Sequence, residues 1–504
     1  MSNVSFIRPE LSVLLPLYTL IKDAIEGEVT IKNKTTLYLP KPNAEDNSPA
    51  NAARYKAYVA RAVYYNVTRR TLLGLLGQVF ARESKIVIPD KMQIIEDNSN
   101  GAGLSLNQLA RQALAYNLAY SRAGIFVDFP QTEGGATVAQ IDSGEIRPTI
   151  YAYEPQHIVN WRIVDRGANE ILSLVVLMEL FIIEDDGFEM KHGCQFRVLK
   201  LDEETGNYIQ EIWREPNPTE YNQNVKAGKR NFQMFDTLQM LGFDGNPLKE
   251  IPFRFIGSEN NDSNADNPNF YDLASVNLAH FRNSADYEEA CFIVGQPTVV
   301  MTGLTKEWVN EVLKGTVAFG SRGGLPLPVG GDAKLLQAAE NTMLKEAMDA
   351  KERQMTALGA KLVEQTRVQR TAYEASLESS NETSVLASCV DNTSEAIEWA
   401  LTKCAELMGL PTDSIEFELN NDFDIAKLDP VERAQCMKEW QAGGITFEEY
   451  RATLRKAKVA TEDDEEAKTK IASEMTSQLA LAMPPNQPGA GAFKKPAPAP
   501  GGAK

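Results

Sequence analysis

The sequence predicts an α+β fold, in which helices and an antiparallel sheet occupy separate stretches of the chain. Residues 146–213 carry several apolar runs of strand character, and Gly206-Asn207 supplies a turn between two of them, which predicts a β-meander. Helical spacing of apolar residues precedes the meander in residues 53–82 and 105–121. A long helix is predicted after it, over about 375–408, with a stop at the glycine that follows.

The composition limits the classes of protein to which this chain can belong. Its 504 residues exceed the usual size of one hydrophobic core, which predicts two or more domains. A net charge of −18 argues against gripping nucleic acid by phosphate neutralisation, but not against letting nucleic acid pass. We expect no secretion or membrane signal, because the longest apolar stretch, residues 171–183, is too short to span a bilayer and contains Glu179. That stretch is predicted to form a buried strand pair.

Residues 53–82 combine a helical pattern with many tyrosines and arginines. One interpretation is nucleic-acid contact through basic and aromatic side chains, including Arg69 and Arg70. The other, which we favour, is a packed helix whose arginines extend along its surface. Gly74 and Gly77 are expected to permit close backbone packing on this helix.

A helix, a compact Pro/Gly-rich insertion and a returning helix form the most informative pattern. The first helix is predicted over residues 267–292 and the returning helix over 334–361, with the glycine-rich stretch 320–331 inside the insertion. One antiparallel hairpin would explain the apolar faces of both helices. A ring of such hairpins would also bury one side of each on neighbouring copies. The sequence alone does not separate these two interpretations.

Catalytic and metal-binding motifs are missing from the sequence. The glycine-rich stretch lacks the lysine and hydroxyl of a phosphate-binding loop, since Leu325 and Pro326 follow Gly324. The five cysteines show no CxxC spacing and are expected to be reduced thiols, and three histidines supply zinc or triad chemistry poorly. We therefore expect no enzymatic activity, no metal site and no cofactor.

The C-terminal part is predicted to be small and helical. A strand is expected at residues 415–420 and a turn at 421–424, followed by two short helices that flank Gly443-Gly444. A helix is expected around 471–483, after an acidic run. The Pro/Gly/Ala-rich end is expected to be disordered, because it has too few apolar residues to bury a core.

In the order of its predicted helices and strands, the chain resembles the portal proteins of tailed bacteriophages over roughly residues 53–458. The most specific local matches are YVARAVYYNVTRRTLLGLLGQVF, SRAGIFVDFP, HIVNWRIVD, ADYEEACFIVGQPTVVMTGL and the segment from NNDFD to GGITFEEY. The resemblance implies a portal fold with a wing, a helical stem, an α/β clip and a small helical crown, assembling as a ring. It implies a wing at 1–266, a first stem helix at 267–292, a clip at 293–333, a second stem helix at 334–360, a tunnel loop at 361–371, a long wing helix at 372–411, a C-terminal wing and crown at 412–458, and a largely disordered tail at 459–504.

The resemblance also implies a function, sites and partners. The ring, usually of twelve subunits, would sit at one capsid vertex of the virion after assembly in the host cytoplasm, and double-stranded DNA would pass through it non-specifically during packaging and ejection. Arg367 and Arg370 in the tunnel loop would form positive rings near the DNA, and neutralising both is expected to alter DNA retention or packaging. The other implied partners are the major capsid and scaffold proteins, the large terminase subunit and a head–tail adaptor, with no membrane. The clip would dock terminase and then the adaptor, and its implied interface residues are Gly320, Arg322, Gly323, Gly324 and Pro326.

Two other functions stay open from the sequence. One is a head–tail adaptor or minor capsid structural protein, although adaptors are usually much shorter and lack the helix–insertion–helix segment. The other is the packaging ATPase, which requires the phosphate-binding loop that this chain does not show.

Overall fold

The structure is a computed structural model, and it describes residues 4–130, 144, 146–218, 231–295, 298–312, 327–336, 342–361, 384–421, 430–456, 460, 464, 467–471 and 473. The chain divides into two compact units, Met1–Asn421 and Asp422–Lys504. Helices and antiparallel strands make up the first unit, and the described residues of the second are largely helical. The α+β class is therefore confirmed.

Eleven α-helices lie in the described residues. They are α1 Pro9–Glu26, α2 Glu28–Asn33, α3 Pro49–Arg61, α4 Val67–Val79, α5 Gln93–Asp97, α6 Leu106–Tyr120, α7 Tyr271–Val294, α8 Met343–Lys361, α9 Val385–Met408, α10 Pro430–Gln441 and α11 Phe447–Lys456. Short 3-10 turns lie at Thr35–Leu37, Asp90–Met92 and Pro155–His157, and a π-helical turn lies at Trp308–Val312.

Four antiparallel sheets contain all the strands of the described residues. The strands are β1 Lys85–Val87, β2 Arg122–Asp128, β3 Thr149–Tyr153, β4 Ile158–Arg166, β5 Asn169–Asp185, β6 Met190–Leu201, β7 Tyr208–Arg214, β8 Gln233–Leu238, β9 Phe253–Gly257, β10 Thr298–Thr302, β11 Asp332–Leu336 and β12 Glu416–Glu418. They pair in the orders β1-β12, β10-β11, β3-β2-β9 and β4-β5-β6-β7-β8.

The core of the first unit lies between α6, α9 and the three-stranded sheet. Helix α6 begins with a capping box in which the Ser105 hydroxyl accepts from the Gln108 amide and the Gln108 side chain accepts from the Ser105 amide. Ser384 caps α9, whose last turn is closed by Gly409 with a φ of 66°. The predicted stop of the long helix is therefore confirmed. The helix begins at Val385, because Ser384 is extended and caps it, so the prediction of one helix running from about residue 375 is wrong; residues 372–383 themselves lie outside the described part.

The five-stranded sheet is the predicted meander, but residues 171–183 do not form a strand pair. They belong to the single long strand β5, in which Val175, Val176 and Leu177 are buried whereas Leu180 and Ile182 are 57% and 53% exposed. The pattern of apolar residues was continuous, so it carried no signal for where burial ends. The prediction of a buried pair is wrong.

Buried polar side chains connect the two larger sheets. Arg197 on β6 donates to Glu179 on β5 at 2.8 Å and to Asp128 on β2 at 3.1 Å, and the Tyr153 hydroxyl donates to Glu179 at 2.6 Å. Burial alone would raise the pKa of Glu179, but the Arg197 charge and these hydrogen bonds outweigh it and lower that pKa. Burial raises the pKa of Asp128 despite the same arginine. The two carboxylates are therefore held by one cation at the junction of the sheets.

Residues 53–82 form two helices rather than one. Helix α3 ends at Arg61, and α4 begins after Asn66, whose side chain caps it by accepting from the Arg69 amide. Gly74 and Gly77 lie on the exposed side of α4, and a β-carbon added at either would meet no atom within 4 Å. The expected close backbone packing at these glycines is therefore absent from the described structure.

The second unit contains α10 and α11 in its described residues. The Thr446 hydroxyl accepts from the Glu449 amide at 3.2 Å and Glu449 accepts from the Thr446 amide at 2.7 Å, which caps α11. Trp440 on α10 stacks on Tyr450 of α11 with ring centroids 5.1 Å apart. The two predicted short helices are confirmed. Most of the predicted turn at 421–424, the helix around 471–483 and the C-terminal end lie outside the described residues.

Candidate functional site

Helix α7 changes its environment along its length. All of its buried residues lie between Leu273 and Ala285, where they pack on the N-terminal helices in a cluster that includes Tyr58, Ala62 and Tyr64. From Asp286 to Val294 no side chain of the helix is buried. We call residues 271–285 the anchored part and residues 286–294 the uncovered part.

Asn277 holds the anchored part to the start of α4. Its side chain is fully buried, and its Oδ1 accepts hydrogen bonds from the Thr68 hydroxyl at 2.9 Å, the Thr68 amide at 3.1 Å, and the Tyr64 hydroxyl and Val67 amide at 3.2 Å each. Its Nδ2 donates to the Tyr65 carbonyl at 2.8 Å. One side chain thus pairs polar groups at the start of α4 that burial would otherwise leave unsatisfied.

Ser284 makes a second polar contact two turns further along α7. Its hydroxyl donates to the Val63 carbonyl at 2.7 Å and accepts from the Val63 amide at 3.1 Å. Val63 lies in the link between α3 and α4, which therefore contacts α7 through its backbone at two positions, near the middle and near the end of the anchored part.

Ionic contacts mark the beginning of the uncovered part. The Tyr58 hydroxyl donates to Asp286 at 2.6 Å. Arg61 at the end of α3 forms an ion pair with Glu289, and its guanidinium carbon lies 4.2 Å from the centre of the Phe292 ring. These contacts fix the direction in which α7 leaves the N-terminal helices.

Helix α8 packs on α7 and is itself little covered. Met355 is its one buried side chain among those described, at 1% exposure. The antiparallel pair β10 and β11 lies between the two helices in the sequence, with Val300 opposite Lys334. Because Lys334 and its neighbours 332–336 are strand, the prediction of a helix from residue 334 is wrong, and the described returning helix begins at Met343. The stretch has helical spacing, but pairing with β10 decides its structure.

Large apolar side chains are exposed around this two-stranded sheet. They are Phe292, Ile293, Val300 and Met343, at 45%, 50%, 40% and 70% exposure. Apolar surface in one connected element is characteristic of a surface that another protein covers. The arrangement has the character of a protein-binding element.

His280 lies at the contact of α7 and α8. Its ring is 3% exposed, and its Nε2 lies 3.4 Å from the Glu352 carboxylate of α8, a distance without hydrogen-bond geometry. Burial lowers the pKa of His280, and the Glu352 carboxylate opposes that shift. Lys351 on α8 acts in the same direction as burial, and Tyr65 is the aromatic neighbour, with ring centres 6.2 Å apart. The helix contact thus contains a histidine that is neutral near pH 7.

The site residues implied by the resemblance all lie outside the described part of the chain. This holds for Arg367 and Arg370 of the implied tunnel loop. It also holds for the implied interface residues Gly320, Arg322, Gly323, Gly324 and Pro326. Their roles stay predictions.

Sequence reasoning missed the residues that anchor α7. Asn277 and Ser284 are polar residues on an otherwise apolar helix face, and that exception was the available signal. Their partners lie in the link between α3 and α4, a stretch for which the sequence predicts one continuous helix.

The described residues contain neither a cluster of metal ligands nor a helix that could span a membrane. No group of three or more His, Cys, Asp or Glu side chains there is arranged to hold a metal ion. None of the helices described has both the length and the apolar character needed to cross a membrane.

Comparisons with known proteins give two kinds of match. A family model described as "Domain of unknown function (DUF4055)" matches residues 269–408, the part of the chain from α7 to the end of α9. No curated protein matches the chain. The neck of a native gene transfer agent particle, computed with C12 symmetry, is similar at 14% identity and a TM-score of 0.41, covering 84% of this chain and 98% of that one.

Two further solved structures are similar at the same level. The neck of the empty particle, computed with C6 symmetry, has 14% identity and a TM-score of 0.39 and covers 77% of this chain and 89% of that one. The virion of the native particle has 14% identity and a TM-score of 0.39, covering 84% and 98%. A likeness at these scores supports no inference about the function of this chain.

Proposed function

We propose that the protein is a portal: a ring at one capsid vertex of a tailed phage or phage-like particle, through which double-stranded DNA enters and leaves. The observation that carries this proposal is the pair α7 and α8, anchored at one end and little covered along the rest. In a ring, each such pair would lie against the pairs of neighbouring copies, and their combined surface would line a channel.

The order of elements supports the same function. An N-terminal α+β part precedes α7, the β10–β11 pair separates α7 from α8, and the long buried helix α9 follows. This order agrees with that of the portal proteins that the sequence resembles. In this proposal β10, β11 and their surroundings dock the packaging terminase and then a head–tail adaptor.

The protein acts in this proposal by position and repetition, not by catalysis. The net charge of −18 per chain would make a ring strongly acidic, so its wall would repel the DNA phosphates and allow passage without tight binding. Arg367 and Arg370 would supply the sparse positive contacts. Major capsid and scaffold proteins would surround the ring in the virion.

The test is the assembly state of the purified full-length chain. We expect a mass of about twelve subunits by size-exclusion chromatography with light scattering, and rings with a central hole by negative-stain imaging. Monomers, or a monomer that hydrolyses nucleotide, would contradict the proposal. Small closed oligomers without a hole would favour the adaptor or minor capsid alternative.

A further inference from the structure

A hairpin at the end of strands β5 and β6 presents a fully exposed aromatic side chain. Phe188 is 102% exposed at its tip, and Ile182 and Met190 beside it are 53% and 55% exposed. An aromatic side chain with this exposure, supported by further apolar residues, is the typical anchor of a protein interface. We call residues 182–192 the finger.

The turn of the finger is held rigidly by its own acidic residues. The Asp186 carboxylate accepts from the Phe188 amide at 2.8 Å and the Glu189 amide at 2.6 Å, and Asp185 accepts from the Gly187 amide at 2.9 Å. The backbone hydrogen bonds lower the pKa of Asp186, so it stays charged. Because the turn is already ordered, seating Phe188 in a pocket costs little conformational entropy.

The finger is acidic as well as apolar. Glu184, Asp185, Asp186 and Glu189 lie within it, and Lys191 balances one of them through an ion pair with Glu184 at 2.8 Å. A surface that receives it should therefore combine an apolar pocket with uncompensated positive charge.

A groove with those properties lies at the other end of the same sheet. Its volume is about 480 Å³, within the range of pockets that bury small ligands, and its lining includes Phe6, Arg8, Asn160, Trp161, Arg162 and Leu174. Arg8 forms an ion pair with Glu10 at 3.0 Å, whereas Arg162 is exposed and makes no ion pair among the described residues. The groove thus combines the apolar side chains of Phe6, Trp161 and Leu174 with a cation that has no ion-pair partner in the described residues.

The floor of the groove is fixed by a stack of side chains. The guanidinium carbons of Arg8 and Arg122 lie 4.5 Å and 4.4 Å from the Trp161 ring centre, so both cations pack on the indole. Arg122 also lies 4.2 Å from the centre of the Phe255 ring. Both partners of the contact that we infer, the finger and the groove, are therefore preformed.

The finger does not reach the groove of its own chain. Leu174 at the groove and Glu184 at the finger are separated by the length of β5, about 33 Å at roughly 3.3 Å per residue. Leu174 at the groove pairs with Arg162, whereas Trp161 pairs with Val175 on the other face, so the groove lies at the β4 edge of the sheet, away from the finger. An occupant from a second copy has to approach head to tail.

We propose that the finger of each copy seats Phe188 in the Arg162 groove of the next copy around the ring. Such a contact joins two different patches, and repeated contacts of this kind form a ring when the rotation between copies closes. It rests on the proposed function for its ring geometry, and it adds an inter-subunit contact outside α7 and α8. Glu189 then lies near Arg162 of the neighbour.

Cysteine crosslinking of the assembled full-length chain tests the contact. Exposed Cys291 and partly exposed Cys436 are first replaced by serine, and Glu189→Cys is combined with Asn160→Cys. A short bismaleimide is expected to give a ladder of covalent products up to the full ring. The control pair Glu189→Cys with Glu203→Cys, also exposed but outside the groove, should give no ladder.

Two substitutions measure the contribution of the contact. Phe188→Ala is expected to raise the protein concentration needed for half-assembly about tenfold or more, the effect of removing an interface anchor. The control Phe243→Ala removes another exposed phenylalanine, 66% exposed on a different loop, and should leave assembly unchanged. Arg162→Glu should weaken assembly, and Glu189→Lys in the same chain should restore it.

The outcomes separate this inference from the proposed function. Rings in the unmodified chain without a crosslinked ladder would overturn the finger–groove contact and leave the portal proposal standing. Products that stop at the dimer would also overturn it, because they indicate a reciprocal two-fold contact. If the unmodified chain forms no rings, the proposed function fails first, and this inference fails with it.

Discussion

The two parts of α7 differ in what surrounds them, not in helix-forming residues. In the anchored part, buried polar atoms of Asn277 and Ser284 are paired with the link between α3 and α4. In the uncovered part, Phe292 and Ile293 remain about half exposed, and the ionic contacts are partly open to solvent. The anchored part is therefore specified by the single chain, whereas in the proposed ring the exposed side chains of the uncovered part would be covered by neighbouring copies.

From this difference we expect the anchored part to contribute to folding stability and the uncovered part to contribute to association. Buried, satisfied polar groups strongly oppose local opening, while a helix with few buried contacts opens at low cost. Substitutions in the anchored part should thus act on folding, and substitutions in the uncovered part should act on association.

The largest change in folding stability is expected for a substitution of Asn277. Asn277→Ala leaves the buried Thr68 amide and hydroxyl without their partner, whereas the Tyr64 hydroxyl keeps its bond to the Ala24 carbonyl. The free energy of unfolding should therefore fall by about 3 to 5 kcal/mol. Denaturant unfolding below the assembly concentration measures it. Gln354→Ala, an exposed amide on α8, is the control and should change stability by less than about 0.5 kcal/mol. Equal effects of the two substitutions would contradict the comparison.

An intermediate effect is expected where the two parts meet. Glu289→Ala removes the partner of Arg61, whose side chain is 25% exposed, while that of Glu289 is 15% exposed. We expect a loss of about 1 to 2 kcal/mol in unfolding free energy, because a charged hydrogen bond that is mostly removed from solvent is lost. Glu288→Ala, at the preceding position, is the matched control. A loss as large as that of Asn277→Ala would place the junction inside the anchored part.

The smallest effect is a pH dependence at the contact of α7 and α8. Burial lowers the pKa of folded His280 below its ordinary value near 6.5, so the unfolded state binds the proton first as the pH falls. The contribution of neutral, buried His280 to folding stability is fully present above pH ~6.5, and it is lost as the pH drops from there through the pKa of the folded state. Amide exchange in α8, corrected for intrinsic rates, should therefore speed up between pH 7.5 and 5.5. In His280→Asn this change should disappear; if it persists, other groups control the contact.

Locally encoded features were predictable from the sequence. The ends of α6 and α9 follow from Ser105 and Gly409, because caps depend on a few neighbouring residues. The turn at Gly206, which has a φ of 67°, likewise predicts the meander. The chain order of helices and strands then sufficed for the α+β class.

Features that depend on distant partners were not predictable. Lys334 and its neighbours have a helical pattern, yet their pairing with β10 makes them strand. The break between α3 and α4 is stabilised by α7, more than 200 residues away, as in the 221-residue separation of Val63 and Ser284. The candidate site consists mainly of such contacts, so its polar anchors were missed. The finger and groove were missed as well, since exposure is not readable from apolar content.

One contact in the core bears on how the chain reaches its fold during synthesis. The Asn117 side chain of α6 donates to the Cys389 carbonyl of α9, across 272 positions. Contacts this distant in sequence slow folding, because a long loop must close before they form. A ribosome has to release most of α9 before α6 acquires its partner, so the first unit is completed late in translation. Premature association of nascent chains through their exposed apolar surfaces is then a hazard that chaperones would have to limit.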